Sequence, residues 1–156
     1  MGHSNHGFLL AASLLGASAE ARPAITPPTA RTISLPGLRY DILRSGPTGG
    51  AHPARSDSVT IHYVGTLPDG RVFSTSAQDG VGLSIFPVRL LIPGFSALVQ
   101  LMRPGDHWRF RIPAYLGYGA AGKVWSPAEP NLKRTIPPNT DLIFDVALVS
   151  FAPTPP

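Results

Sequence analysis

The residues able to make or break bonds are few and scattered along this chain. There is no cysteine, which excludes thiol nucleophiles, thiolate metal sites, a lipid-bearing cysteine and disulfide staples. The five histidines do not compose a ligand set. His3 and His6 lie at the extreme N-terminus, and His52, His62 and His107 have no metal-ligand spacing among them. No metal and no cofactor is expected, and no acid–base constellation is visible. Tyr118 stands out because it lies between Gly117 and Gly119, in a loop, where a functional tyrosine is more plausible than on an apolar stripe. Phe95 and Phe144 lie on apolar stripes, where a core role is the default, and Tyr63 closes a strand as an amphipathic residue would.

The elements that must position such residues belong to one domain. The chain has 156 residues, enough to bury about two thirds of its unfolded surface. Charged residues make up only 14%, against about 25% in a typical soluble domain. With 18 prolines, 16 glycines and 43% hydrophobic residues, it reads as a turn-rich β or α+β domain with proline-rich ends. The net charge is +4, which raises the question of nucleic acid. The basic residues are spread out, however, with only Arg109/Arg111 and Lys133/Arg134 close together, so no nucleic-acid partner is expected.

Residues 1–21 read as a signal peptide. Phe8 to Ala19 is an apolar run of twelve residues, too short for a bilayer at about twenty. It ends in Ala17-Ser18-Ala19 and Ala19-Glu20-Ala21, both A-x-A cleavage patterns, although Met1 to Gly7 has no Lys or Arg. The expected location is periplasmic or secreted, or cytoplasmic if this segment is not cleaved. No stable membrane insertion is expected once it is removed. Residues 22–36 carry Pro23, Pro27, Pro28 and Pro36 and read as a linker, and 152–156 as a short tail.

Between them, 37–151 is the folded body. Leu38, Tyr40 and Ile42 alternate as a half-buried strand, as do Val59, Ile61 and Tyr63. Pro68-Asp69-Gly70 makes a turn into Val72 and Phe73. Phe95, Leu98, Val99 and Met102 share one helical face, stopped by Arg103-Pro104-Gly105-Asp106. Trp108, Phe110 and Ile112 then alternate, and Asp141 to Phe151 forms the last strand. The expected architecture is α+β, a twisted antiparallel sheet of about five strands around one short amphipathic helix.

In order along the chain stand Gly37-Leu38-Arg39-Tyr40, Val59 to Gly65 (VTIHYVG), Leu67 to Phe73 (LPDGRVF), Leu91-Ile92-Pro93-Gly94-Phe95, Leu101-Met102-Arg103-Pro104-Gly105, Ile112 to Gly119 (IPAYLGYG), Ile136-Pro137-Pro138-Asn139-Thr140 and Leu142 to Val146 (LIFDV). Each piece is weak alone. Together, at this spacing, they make the chain resemble the FKBP family, the macrolide-binding peptidyl-prolyl cis-trans isomerases, over roughly Gly37 to Phe151. The resemblance implies a pocket between sheet and helix that accepts a proline ring. It puts Phe95 on the floor, where the family usually has Trp, with Tyr63, Phe73 and Phe144 as walls. Leu91, Ile92 and Ile136 would complete the rim, and Phe86 would fall at a family aromatic near the pocket. The Ile92 N–H and the Tyr118 hydroxyl would hydrogen-bond substrate carbonyls.

The implied reaction is rotation of an X-Pro bond in a folding polypeptide. It breaks no covalent bond and needs no nucleophile, base or metal. Expected partners are proline-containing unfolded or partly folded polypeptides, and macrolide inhibitors. One departure is chemical: Ser74 follows Phe73 where the family usually places an aspartate. It favours the alternative of a binding or chaperone module on the same fold with little or no isomerase activity. The loop Lys123 to Thr135, with Trp125, is longer than usual in the family and would overhang the pocket mouth.

Overall fold

The computed structural model describes residues 31–79, 82–125 and 135–155. The expected signal peptide, residues 22–30 of the expected linker and residues 126–134 of the long loop lie outside the described residues. Seven strands and one α-helix are described: β1 (Arg31–Leu35), β2 (Leu38–Arg44), β3 (Asp57–Thr66), β4 (Val72–Thr75), β5 (Ser84–Pro87), α1 (Pro93–Val99), β6 (His107–Ile112) and β7 (Leu142–Pro153). All pairings are antiparallel, in the order β1-β2-β6-β7-β3-β4, with β5 on β3 beside β4.

The expected α+β arrangement is present, with two strands more than the alternation shows. The first, β1, occupies the end of the segment read as a linker. Pro36-Gly37 explains it. Leu35 pairs with Leu38 across this two-residue turn, in which proline presets φ and Gly37 takes a φ of +76°. The strand therefore owes its existence to β2 rather than to its own short apolar content. The second, β5, is a four-residue edge strand ending at Pro87, where a missing N–H costs no ladder bond. Likewise β7 runs to Pro153, so the expected tail begins inside a strand.

The registers sort the side chains by face. Tyr40, Phe110 and Phe144 lie in one row with Gly65, and Ile42, Trp108, Val146 and Tyr63 in the next. This is the face that packs on α1. Phe95, Leu98, Val99 and Met102, the expected apolar stripe, are all buried. The helix runs only to Val99, and Pro93 at its first turn needs no N–H partner. On the opposite face the rows are charged. Arg109 meets Asp145 with two bonds of 2.9 and 3.1 Å, and Arg111 reaches Asp41 at 3.4 Å.

Candidate functional site

Four strands, the helix with its approach and the segment after β6 converge on one hollow of about 360 Å³. That volume suits a small cyclic group with its flanks, at the lower end of the usual range for ligand cavities. Phe95 enters from α1. Its ring meets Phe110 edge-on at 5.2 Å and Phe144 at 5.0 Å, so two neighbours lock its rotamer. Phe144 of β7 also meets Phe73 of β4 edge-on at 5.4 Å, and Tyr63 of β3 stands 6.5 Å from it. Phe86 of β5 packs edge-on against Tyr63 at 5.7 Å.

Gly65 makes this arrangement possible. A Cβ there would stand 2.7 Å from Phe73 Cζ and 2.9 Å from Phe144 Cε1, too close for either ring to keep its place. The two rings occupy the space that a side chain at this next-to-last position of β3 would fill.

The polar groups are few. Ser74 is buried, and its Oγ lies 2.7 Å from the Tyr63 hydroxyl. The serine at the aspartate position therefore keeps the tyrosine engaged, but through a neutral pair. Ile92 caps α1, so its N–H precedes the intrahelical bonds and is not consumed by them. Tyr118 is half-buried in the turn after β6. Burial, and secondarily the neighbouring Tyr63, pushes its pKa above the ordinary 10.0, so its hydroxyl remains a donor at neutral and mildly alkaline pH. The sign for stability follows. The folded state holds this proton more tightly than the unfolded chain, so the contribution is complete below the unfolded pKa and is lost as pH rises through the folded one. Chemical denaturation from pH 7 to 11 is expected to show a midpoint that falls above about pH 10. In Tyr118→Phe that part of the fall should be missing.

Of the ten expected site residues, nine line the hollow: Tyr63, Phe73, Ser74, Phe86, Leu91, Ile92, Phe95, Tyr118 and Phe144. Ile136 does not. It is 1% exposed and belongs to the core. Its backbone pairs with Lys123 through two hydrogen bonds of 2.9 Å, so Ile136 holds the wall from behind rather than forming the rim. Ile61 and Leu90 line the hollow without a sign in the sequence, and Lys123 and Trp125 line it from the loop expected to overhang its mouth. Trp125 lies nearly parallel to Phe73 at 6.5 Å and edge-on to Tyr118 at 5.9 Å, with Lys123 Nζ 5.9 Å from its own ring. An aromatic ring in the expected overhanging loop was the signal available. The described lining residues include two tyrosines and one lysine but no carboxylate.

The family model of FKBP-type peptidyl-prolyl cis-trans isomerase matches residues 49–149. The outer membrane protein MIP of Legionella longbeachae is 40% identical over 114 residues, covering 73% of this chain and 44% of that protein. The FKBP-type 22 kDa peptidyl-prolyl cis-trans isomerase of Escherichia coli is 39% identical over 113 residues, covering 72% and 49%. The chain thus spans about half the length of the curated relatives it matches. Among solved structures, FkpA from Escherichia coli superposes with a TM-score of 0.68 at 33% identity, covering 80% of this chain and 53% of that one. A peptidyl-prolyl cis-trans isomerase from Pseudomonas syringae superposes with a TM-score of 0.63 at 30% identity, covering 81% and 84%.

Proposed function

The chain belongs to the FKBP-type peptidyl-prolyl cis-trans isomerase family, and from that premise we propose that it catalyses rotation about X-Pro bonds in proline-containing polypeptides. The observation that carries this reading is the open, ring-lined hollow over Phe95, with an available N–H at Ile92 on its border.

The barrier to rotation is about 18–20 kcal/mol, because resonance gives the C–N bond double-bond character. In the twisted transition state that resonance is lost, the carbonyl is less dipolar, and a dry environment suits it better than it suits the planar amide. Phe73, Phe95, Phe144 and Trp125 supply that environment without a proton transfer. The Ile92 N–H and the Tyr118 hydroxyl hold the flanking carbonyls, so the chain on one side of the bond stays fixed while the other turns. Binding of this kind accelerates only because it is stronger for the twisted state, at about 1.4 kcal/mol per tenfold gain.

The test is cis-to-trans exchange of a short X-Pro peptide with and without the full chain. Acceleration that a pocket-filling macrolide abolishes is expected, and equal rates would refute the reading. Because no carboxylate lines the described wall, kcat/KM should stay level from pH 5 to 9. Ser74→Asp would turn the neutral bond with Tyr63 into a charge-assisted one, roughly twice as strong. An increase of about fivefold in kcat/KM is expected, with a new fall on the acid side where the carboxylate is protonated. An unchanged rate and a level profile would show that the residue at 74 is immaterial to catalysis.

We further propose that the protein works outside the cytoplasm on folding polypeptides. The apolar run ending in two A-x-A patterns supports this, as does a relative named as an outer membrane protein. Recovery of product beginning after Ala19 or Ala21 from the exported fraction is the check.

A further inference from the structure

Among the described residues a second hollow is larger than the aromatic one. It has a volume of about 550 Å³ and lies at the far end of the sheet, where β1 ends, β2 and β7 begin and β6 finishes. Two arginines line it, Arg39 and Arg111, and they stand directly opposite one another in the β2–β6 register. Like charges in that position are destabilising. Arg111 reaches Asp41 at 3.4 Å, whereas Arg39 is exposed and has no ion pair among the described residues. Beside them Tyr115 is 70% exposed, leaving a large ring face uncovered. Asp141, the acid in the lining, is engaged in accepting the Ala114 N–H at 2.9 Å.

Position gives this hollow a relation to the first. Tyr115 lines one and Tyr118 the other, so the α-carbons of these two lining residues are at most about 11 Å apart, and the two hollows adjoin around one end of the sheet. A flank of about four extended residues reaches about 13 Å, beyond that separation. Resting on the isomerase reading, we propose that the Arg39–Arg111–Tyr115 hollow is a second binding site, which takes an acidic segment of the same polypeptide whose proline occupies the aromatic pocket. Carboxylates relieve the repulsion between the two arginines, through charge-assisted bonds that the planar guanidinium is shaped to make. A nucleic-acid strand fits less well. Continuing along the face past Arg111, its phosphates would meet Asp41 and Asp145 in the next row.

The experiment uses the full chain and peptides sharing one Ala-Pro core. One has no flank, and the others carry three glutamates or three lysines centred four residues from proline, on either side. The KM for the better-placed acidic peptide is expected to be about tenfold below that of its lysine counterpart. Arg39→Ala should shrink the difference to about twofold and leave kcat for the unflanked peptide unchanged, since Arg39 is exposed and lies outside the aromatic pocket. Salt at 0.5 M should act in the same direction. Equal KM values for both charges, or a preference that survives Arg39→Ala, would overturn the proposal. A labelled acidic peptide with alanine in place of proline separates this outcome from failure of the isomerase reading. Its binding, lost in Arg39→Ala, supports the second site even if no peptide is isomerised, and its failure to bind refutes the site even if catalysis is normal. Tighter, Arg39-dependent binding of a single-stranded oligonucleotide would reassign the hollow and overturn the proposal.

Discussion

Phe144→Ala is expected to lower the stability of the fold by about 3–5 kcal/mol and to remove most of the isomerase activity of the molecules that remain folded. The ring is 6% exposed and touches three others, at 5.0 Å (Phe95), 5.4 Å (Phe73) and 6.5 Å (Tyr63). Truncation opens a cavity inside the pocket wall and frees Phe95 and Phe73 to turn. Phe144→Leu separates the two effects. It restores most of the volume, so the loss of stability should shrink to about 1–2 kcal/mol. It does not restore the ring edges, so kcat/KM should still fall by about tenfold or more. Urea denaturation and the X-Pro peptide assay, on all three proteins, read both quantities. Full activity in the leucine variant would show that volume alone, not ring geometry, makes the pocket work.

A change of similar size in stability, but none in catalysis per folded molecule, is expected at Asp106. This carboxylate is 6% exposed and accepts the Gly46 N–H at 2.6 Å and the Arg103 N–H at 2.7 Å. Its own carbonyl accepts the Leu148 N–H at 3.0 Å, while Gly105 donates to the Leu148 carbonyl at 2.8 Å. One residue thereby ties the loop after β2, the exit from α1 and strand β7. Asp106→Ala strands two donors, at about 1–3 kcal/mol each when buried, and a total near 3 kcal/mol is expected because both are only partly covered. Asp106→Asn retains one acceptor and turns an amide N–H₂ toward the other donor, so it should recover less than half. Peptide isomerisation at a temperature where the variant is fully folded should match the parent, since Asp106 lies outside the aromatic hollow. A reduced rate there would mean that the helix exit is coupled to the pocket.

Strands of regular alternation were legible in advance, because period two is a property of neighbours in sequence. Trp108, Phe110 and Ile112, or Val59, Ile61 and Tyr63, declare a buried face without reference to anything distant. Strands β1 and β5 were not legible for the opposite reason. Each is four or five residues long at an edge of the sheet, and it is the partner strand that makes it a strand. The Pro36-Gly37 pair is the one local sign of the first, and in sequence it is the last of a series of prolines.

The candidate site divides in the same way. Chain chemistry by itself determined that no thiol was available and that one short helix would present Phe95, while the resemblance of its ordered pieces to the family implied the pocket for proline. Only the folded chain decided that Gly65 is an opening for two rings, that Ser74 engages Tyr63, and that Trp125 and Lys123 belong to the wall while Ile136 stands behind it. The charged end of the sheet is the sharpest case. Arg39 and Arg111 are seventy-two positions apart, and nothing in either neighbourhood hints that they meet; the β2–β6 register sets them face to face. Periodicity records what one residue does relative to the next, whereas a site is made of distances between residues far apart in sequence, and those exist only once the sheet has closed.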